Sequence, residues 1–193
     1  MELIVQRCLD HSLDEQERAK SPGRGKAKAL KTDIHLMTPI QPMLAKKAEK
    51  LADVFAKSPK GIYCEIKYDG ERIQIHKNGG EFAFFSRNLK AIPNWKVDNV
   101  KPHLLKSTNA ESIILDGELL LMDNRTGQPL PFGSLNVHKK NNFSDACVCV
   151  IVFDILYLNG KVLLEIPIEE RRKLMIKNVN VKKILYLNFC HHY

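Results

Sequence analysis

A lysine beside a turn signal is the first group in the chain that could carry chemistry. Lys67 lies in the stretch IYCEIKYDGERIQIHK, where apolar and polar residues alternate on both sides of Asp69-Gly70. An Asp-Gly pair between two alternating runs predicts a β-hairpin. Glu65 and Lys67 share one face of the first strand. A lysine beside a turn is usually solvated, so a solvated side chain and a functional amine are both open interpretations.

Three other segments place polar or aromatic side chains within or next to apolar runs. SIILDGELLLMD contains Asp116 and Glu118, VCVIVFDILYLNG contains Phe153, and FFSRN contains Arg87. Carboxylates inside a strand are normally paired, bound to a metal or placed at the mouth of a site; a second Asp-Gly turn in water is the alternative. Taken singly, Phe153 favours a core position. Arg87 favours a solvated one, although arginine is also suited to phosphate.

Together, these side chains are the parts that a nucleotide site needs. Arginine forks bind phosphate, a carboxylate binds ribose or a metal ion, and a flat aromatic face supports a base. The chain presents them in the order lysine, arginine, carboxylate and aromatic residue. The set therefore indicates nucleotide chemistry more strongly than any one member does.

The composition indicates a basic protein with one sizeable core. The chain has 193 residues, of which 44% are hydrophobic, and a net charge of +8. Such a charge favours nucleic acid, an anionic membrane surface or a phosphorylated substrate as partner. A run without acidic residues predicts either a flexible linker or a phosphate contact; its basic residues are Arg18, Lys20, Arg24, Lys26, Lys28 and Lys31.

Cysteine usage and hydropathy predict an intracellular protein without a transmembrane span. The five cysteines are scattered and do not form a disulfide framework, which is typical of reduced thiols inside the cell. No window of about 18 consecutive apolar residues is present. The N-terminal sequence also lacks the charge and apolar pattern of a secretory signal.

Apolar periodicity predicts an α+β fold with antiparallel-rich sheets and flanking helices, rather than a doubly wound parallel sheet. Helical spacing occurs at about residues 3–13, 46–57, 94–105 and 169–177. Strand-like runs occur at residues 62–67, 71–77, 81–86, 112–122, 147–156 and 184–187. Several neighbouring runs are separated by tight turns, which favours antiparallel pairing.

Four motifs, in order, resemble those of ATP-dependent DNA ligases and their mRNA-capping relatives. They are EIKYDGER, FFSRN, ILDGELLL and VFDILYLNG. The segments MTPIQPMLA, TGQPLPFGSLNVHKK and EERRK resemble those of the ligase III branch of that family. The resemblance extends over roughly residues 33–187. It implies an ATP-grasp-like nucleotidyltransferase fold.

The resemblance implies that Lys67 is a nucleophile. It would attack the α-phosphate of ATP in the presence of Mg²⁺ and hold AMP through a phosphoramidate bond. The AMP would pass to the 5′-phosphate at a nick in double-stranded DNA, and a 3′-hydroxyl would then displace it. The attack needs a neutral amine, which nearby positive charge from Arg72, Arg87 and Mg²⁺ would favour. The implied processes are DNA repair, recombination and replication.

The other site residues are implied by the same resemblance. Glu65 would contact adenine, in part through its backbone. Arg72 and Arg87 would bind phosphate groups of the nucleotide or of DNA. Glu118 would bind the ribose and the metal ion, and Phe153 would stack on adenine.

The resemblance also divides the chain into three parts. Residues 1–32 would be the end of a helical DNA-binding domain followed by a basic linker, residues 33–187 a partial adenylation domain, and residues 188–193 a divergent tail. The later glutamate and Lys-x-Lys motifs of the family are not found in the sequence. We therefore expect an incomplete adenylation domain that binds nucleotide weakly and does not seal nicks by itself.

Two alternatives remain open on these motifs. An RNA ligase or an mRNA-capping enzyme would use the same lysine, and a non-catalytic, basic DNA-binding remnant would not use it at all. For a DNA ligase, the expected partners are ATP and nicked double-stranded DNA, and no membrane partner is expected. Repair scaffold proteins would bind longer family members through a domain not found in this sequence. The expected location is the nucleus or, as an alternative, the mitochondrion.

Overall fold

The computed structural model describes residues 3–6, 34–58, 62–141 and 145–180 of the chain. The strands in these ranges are β1 (Leu3–Gln6), β2 (Tyr63–Ile66), β3 (Glu71–Asn78), β4 (Glu81–Ser86), β5 (Ser112–Asp123), β6 (Ala146–Leu158) and β7 (Lys161–Val162). The helices are α1 (Leu51–Ala56), α2 (Asn94–Val97), α3 (Lys101–Ser107), α4 (Ser134–Asn141) and α5 (Ile168–Asn178). None of these helices has the length and apolar character needed to cross a membrane.

Five strands form one antiparallel sheet in the order β4-β3-β5-β6-β7. β3 and β4 are joined by the two-residue turn Gly79-Gly80, where Asn78 lies opposite Glu81. Gly79 has a φ of 57°, which suits glycine and matches the turn that favours hairpins. The strands predicted at residues 71–77, 81–86, 112–122 and 147–156 are confirmed. The antiparallel-rich α+β fold is confirmed as well.

The main core lies on one face of this sheet. Alternate residues of β5 point into it, namely Ile113, Leu115, Leu119 and Leu121. Three helices contribute to the same core through Val97 of α2, Leu104 of α3 and Met175 of α5. Burial of these side chains is the main stabilising term of the domain.

The other face of the sheet carries polar side chains at its centre. Because successive strand residues alternate between faces, Arg72, Gln74 and His76 of β3 point away from Ile73 and Ile75, which belong to the core. On β5, Glu118 lies opposite Arg72 and Asp116 lies opposite Gln74. This polar face, rather than the core, positions the site described below.

The hairpin predicted at Asp69-Gly70 is wrong. β2 pairs with β1, with Ile66 opposite Leu3, whereas β3 pairs with β4 and β5. Gly70 is instead a point of close approach, since a Cβ atom there would lie 2.5 Å from the carbonyl oxygen of Leu119 on β5. The chain passes from one sheet to the other at this point, which leaves Lys67 at the end of β2.

The second Asp-Gly pair is not a turn either, because it lies within β5. A Cβ atom at Gly117 would lie 2.6 Å from the carbonyl oxygen of Ile151 on β6. Glycine therefore permits the two strands to run close together. Asp116 and Glu118, on either side of Gly117, remain on the polar face of a continuous strand.

A β-bulge interrupts β6 beside this glycine. Val152 and Asp154 pair with consecutive residues of β5, so that Phe153 between them is the extra residue. Val152 and Ile155 both belong to the main core although they are three positions apart. The bulge therefore keeps two successive side chains, Phe153 and Asp154, out of that core.

Three of the four helix predictions are correct in place but not always in extent. Within the predicted range 46–57 the helix covers α1 alone, and α5 matches the range 169–177 closely. The range 94–105 is divided into α2 and α3. Pro102 does not end a helix there: it occupies the first turn of α3, where its missing N–H is tolerated.

The N-terminal prediction of a helix over residues 3–13 is wrong for Leu3–Gln6, which form a strand with β2. Ile4 and Val5 are β-branched residues that favour a strand. The basic run at residues 18–32, the predicted strand at residues 184–187 and the tail at residues 188–193 lie outside the described residues.

An extended segment before α1, residues 34–50, is fastened along the polar face of β3. We call it the lead-in segment. The three residues at the centre of the polar face, Arg72, Gln74 and His76, make hydrogen bonds to its main chain, at N–N or N–O distances between 2.7 and 3.2 Å. The pairs are His76 with Met37, Gln74 with Ile40, and Arg72 with Met43. The segment therefore forms one wall of the space over the polar face.

Candidate active site

A cleft of about 1150 Å³ opens on the polar face of the sheet. The ends of β2 and β3, the middle of β5 and β6, α5 and the lead-in segment surround it. All six residues singled out from the sequence line this cleft: Glu65, Lys67, Arg72, Arg87, Glu118 and Phe153. Side chains that are up to 88 positions apart in the sequence thus meet in one cavity.

Lys67 stands at the mouth of the cleft, one residue after β2 ends. Its Nζ donates a hydrogen bond to Oδ1 of Asp69, and the two side chains are 45% and 74% exposed. Such an exposed ion pair contributes little to stability. Lys67 is therefore positioned by the backbone between β2 and Gly70 and can exchange Asp69 for a ligand.

Glu118 lies inside the cleft, directly opposite Arg72 in the strand register. Burial raises the pKa of its carboxyl group to about 7, although the positive charges of Arg72 and Lys67 oppose this shift. A carboxyl group with such a pKa can bind a cation or accept a hydrogen bond, and it can also take up a proton near neutral pH.

Arg72 is held by the carboxylate of Asp116 in a two-pronged ion pair. Nε donates to Oδ1 at 3.0 Å and Nη2 donates to Oδ2 at 2.6 Å, while Nη1 donates to the carbonyl oxygen of Met43 at 2.8 Å. Asp116 is buried, so this pair answers the question left by the sequence: the carboxylate is paired, not solvated. Arg72 has two further N–H groups that remain for a phosphate.

Phe153 is half-buried and borders the cleft rather than the core. The guanidinium carbon of Arg72 lies 5.4 Å from the centroid of its ring. This cation–π contact fixes the ring plane and covers one side of it. A flat ligand in the cleft would stack on the side that Arg72 does not cover.

Arg87 lies in the exposed turn after β4, at the rim of the cleft. The turn is closed by backbone hydrogen bonds between Ser86 and both Leu89 and Lys90, and Leu89 has a φ of 61°. The side chain of Arg87 can therefore reach toward the cleft from a defined backbone position.

Arg172 of α5 is a cleft residue that the motif comparison did not single out. Its Nη2 donates to Oε2 of Glu65 at 2.5 Å, and its guanidinium carbon lies 5.5 Å from the ring centroid of Tyr63. The EERRK helix was part of the resemblance, but the sequence contains no local signal that separates Arg172 from its charged neighbours. Its importance becomes visible when α5 is placed beside β2.

The carboxylates that line the cleft suit a metal ion that is shared with a substrate. Among the described residues there is no group of three or more His, Cys, Asp or Glu side chains that could hold a metal ion. Mg²⁺ commonly binds through one or two carboxylates together with substrate phosphates. Glu118, a carboxylate next to the cationic side chains of Arg72 and Lys67, fits that mode of binding.

Comparison with known proteins identifies the family. The model of the ATP dependent DNA ligase domain matches residues 42–188, a range that contains every residue that lines the cleft. The chain belongs to the ATP-dependent DNA ligase domain family. The ligase domain thus supplies both the sheet and the side chains of the cleft.

Curated relatives of this ligase domain are longer proteins. DNA ligase 3 of Dictyostelium discoideum is 61% identical over 150 residues, which are 78% of this chain and 13% of that protein. The DNA ligase of Vaccinia virus (strain Ankara) is 47% identical over 77% of this chain and 27% of its own length. The DNA ligase of Fowlpox virus (strain NVSL) is 46% identical over 95% of this chain and 29% of its own length. The chain therefore spans less than a third of each of these relatives.

Among solved structures, the ligase domain from M. tuberculosis LigD has a TM-score of 0.48 and 24% sequence identity, and 65% of this chain and 38% of that chain are covered. The mycobacterial DNA ligase D complexed with ATP and MES has a TM-score of 0.47 and 23% sequence identity, and the match covers 64% of this chain and 38% of that chain.

Proposed function

We propose that the chain carries out the first step of DNA ligation, in which Lys67 takes AMP from ATP. One observation carries this proposal: an exposed lysine amine, a carboxylate, two arginines and an aromatic ring line the same cleft of a ligase-family domain. The relatives named above are DNA ligases by name. These relatives are much longer than the aligned region. The full sealing reaction is therefore also a proposal for this chain.

The chemical step is a displacement at phosphorus. The lone pair of Lys67 Nζ forms the N–P bond to the α-phosphorus of ATP, the bond from that phosphorus to the bridging oxygen breaks, and pyrophosphate leaves. The amine proton is lost to solvent. Attack requires Lys67 to leave its contact with Asp69 and to lose a first proton to solvent, because an ammonium group has no lone pair to offer.

The other cleft residues would bind and orient the nucleotide. Phe153 would support the adenine ring, and Glu65 would contact its edge. Arg87 and the two remaining N–H groups of Arg72 would bind phosphate oxygens. Glu118 would hold the ribose and Mg²⁺, and the metal would offset charge that develops on the phosphates. Holding the amine and the phosphate together accounts for a large part of the rate gain in such reactions.

In the later steps we propose that AMP passes to the 5′-phosphate of nicked double-stranded DNA and that a 3′-hydroxyl displaces it. DNA repair, recombination and replication would use this product, and the protein would act in the nucleus. These roles depend on DNA binding, which the net charge of +8 favours.

The decisive experiment is transfer of radiolabel from [α-³²P]ATP in the presence of Mg²⁺. The 193-residue chain is tested alone and fused after residue 188 to the part of Dictyostelium DNA ligase 3 that follows the aligned region. We expect acid-labile label in at least the fusion, and we expect Lys67→Arg to abolish it because arginine stays protonated. Lys47→Arg, which changes another lysine lining the cleft, serves as the control and should keep the label.

Label that persists in Lys67→Arg would contradict the assignment of the nucleophile. Failure of both wild-type proteins to take label would contradict the proposed reaction and would favour a non-catalytic DNA-binding role. Sealing of a nicked DNA duplex, compared with guanylylation of RNA ends from GTP, distinguishes a DNA ligase from a capping enzyme.

A further inference from the structure

We infer that Arg172 is a positioning residue for base recognition: it holds the Glu65 carboxylate in the acceptor form and orientation that favour adenine over guanine. This inference rests on the proposed function, since it assumes that the cleft takes a purine nucleotide. It adds to that proposal a residue of α5 and a physical basis for nucleotide selectivity.

The contact between the two residues joins separate parts of the fold. Glu65 lies on β2 and Arg172 on α5, 107 positions later, and their side chains are 16% and 15% exposed. Both line the cleft. An ion pair whose side chains are this little exposed is screened less by water than an ion pair on the surface, and it fixes both partners.

α5 is held firmly against the sheet, so the backbone position of Arg172 is fixed. The neighbouring Arg171 donates from Nε and Nη2 to the two carboxylate oxygens of Asp154 at 2.8 Å each. Met175, one turn further along α5, belongs to the main core. Arg171 and Met175 therefore anchor the helix, and this leaves Arg172 to face β2 and the cleft.

The geometry of the pair is that of a single-point contact. Arg172 donates from Nη2 to Oε2 of Glu65, its guanidinium group lies over the ring of Tyr63, and its Nε is buried without a hydrogen-bond partner among the described residues. A two-pronged pair would engage both carboxylate oxygens. Here the contact uses one oxygen of Glu65, and the second can accept a hydrogen bond from a ligand.

The chemistry of the purine bases makes this second oxygen selective. Adenine presents an N6 amino donor where guanine presents an O6 acceptor. An ionised carboxylate is an acceptor only, so it attracts the amino group and repels the carbonyl oxygen. Burial raises the pKa of Glu65, and Arg172 opposes that shift. Without Arg172, a protonated Glu65 could donate to O6, and discrimination would weaken.

The test measures equilibrium binding of ATP and of GTP to the 193-residue chain. Arg172→Met removes the charge but keeps an apolar stem, and we expect the ratio of ATP to GTP affinity to fall about tenfold, the size of one charge-assisted hydrogen bond. Arg172→Lys should recover most of the ratio, because a cation again faces Glu65. Lys173→Met removes a charge from the next, exposed position of α5 and should leave the ratio unchanged.

Two further measurements separate positioning from mere structural support. Once Glu65 is changed to Gln, Arg172→Met should have no additional effect on the ratio, since no carboxylate is left to control. Thermal melts of every variant identify any that do not fold, in which case Arg172→Lys and Arg172→Gln are compared in place of Arg172→Met.

Three outcomes decide the matter. Equal weakening of ATP and GTP binding in Arg172→Met, with the ratio preserved, would overturn this inference while the proposed function stands. No binding of ATP by the wild-type chain or by the fusion described above would overturn both. A reduced ratio that Arg172→Lys restores, and that disappears in the Glu65→Gln background, supports Arg172 as the positioning residue.

Discussion

Arg72 links more parts of the cleft than any other residue described above. Its guanidinium group pairs with Asp116, donates to the main chain of Met43 and lies over Phe153, and its strand position is opposite Glu118. The family resemblance assigns it to phosphate binding. The structure adds a second task, since the same side chain fixes the lead-in segment and the aromatic ring.

The ion pair between Arg72 and Asp116 leads to a prediction about stability. Either Arg72→Met or Asp116→Asn leaves a buried polar partner without its counter-charge and should lower the free energy of unfolding by about 3–5 kcal/mol. The double variant Arg72→Met/Asp116→Asn should lose less than the sum of the two single losses, with a coupling of about 1–3 kcal/mol, as measured by urea denaturation.

The exposed pair of Lys101 and Asp98, at 3.0 Å, is the matched control. Its coupling should stay below about 1 kcal/mol, because water screens it. Additive losses at Arg72 and Asp116 would mean that the buried pair is not energetically coupled.

Phe153 supports a second prediction at this scale. Phe153→Ala should weaken ATP binding by about 1–3 kcal/mol, because a base loses its aromatic platform. Phe153→Tyr keeps the ring and should weaken binding much less. Calorimetric titration of both variants, together with their melting temperatures, provides the measurement. Equal affinity of the two variants would remove the stacking role and return Phe153 to a packing role.

At the scale of the elements, β3 does more than complete the sheet. Its core face carries Ile73 and Ile75, while its polar face fastens the lead-in segment through hydrogen bonds to main-chain groups. His76 is the inner end of this attachment. It is fully buried, its Nδ1 accepts from the N–H of Met37, and its Nε2 bonds to Gln74.

This attachment should depend on pH. Burial lowers the pKa of His76 from 6.5 to about 4. The unfolded chain therefore binds a proton more readily, so the contribution of neutral His76 is complete above pH 6.5 and is lost as the pH falls toward 4. Relative to His76→Gln, the wild type should lose about 2 kcal/mol of unfolding free energy between pH 7 and pH 5.

The measurement is a series of urea melts between pH 4.5 and pH 7.5. His103→Gln alters an exposed histidine and provides the control, with a pH profile like that of the wild type. A wild-type profile that runs parallel to that of His76→Gln would show that His76 is not buried in its neutral form.

The sheet was largely predictable from the sequence because its strands obey a period of two. Ile73 and Ile75 on β3, and Leu119 and Leu121 on β5, mark the core face by their spacing alone. The partners of β2 were not predictable in this way. Asp69-Gly70 is a strong local hairpin signal, but β2 pairs with β1, which is some sixty positions away, and long-range pairing overrides local turn preference.

The cleft was predictable in part for a related reason. Motifs identify Lys67, Glu118 and the other members of the six because each lies in a distinctive local sequence. Arg172 is one of several charged residues in its helix, and nothing near it in sequence marks its contact with Glu65. The role of Asp116 depends on its ion pair with Arg72, which lies on another strand. Residues whose role depends on a partner distant in sequence become recognisable when the elements are placed in space.

At the scale of the whole molecule, the excess of positive charge predicts affinity for DNA. The basic run near the N-terminus lies outside the described residues, and we expect it to contact phosphates without regard to base sequence. Changing its six basic residues to glutamine should reduce the slope of log affinity against log salt by up to about 5. The positions are Arg18, Lys20, Arg24, Lys26, Lys28 and Lys31.

Binding of a nicked duplex at salt concentrations between 50 and 200 mM is the measurement. Glutamine at Lys173 and Lys177, on the exposed side of α5, controls for the loss of positive charge elsewhere on the surface. An unchanged slope in the six-residue variant would identify the run as a plain linker.

The bulge in β6 has a consequence for protein engineering. Because Val152 and Ile155 keep their places in the core on either side of it, the side chain at position 153 can change shape without shifting the strand. A library of variants at position 153 can therefore be selected for binding of ATP analogues that carry enlarged bases, with little loss of stability. A new nucleotide preference can thus be evolved at position 153 without changes to the core of the sheet.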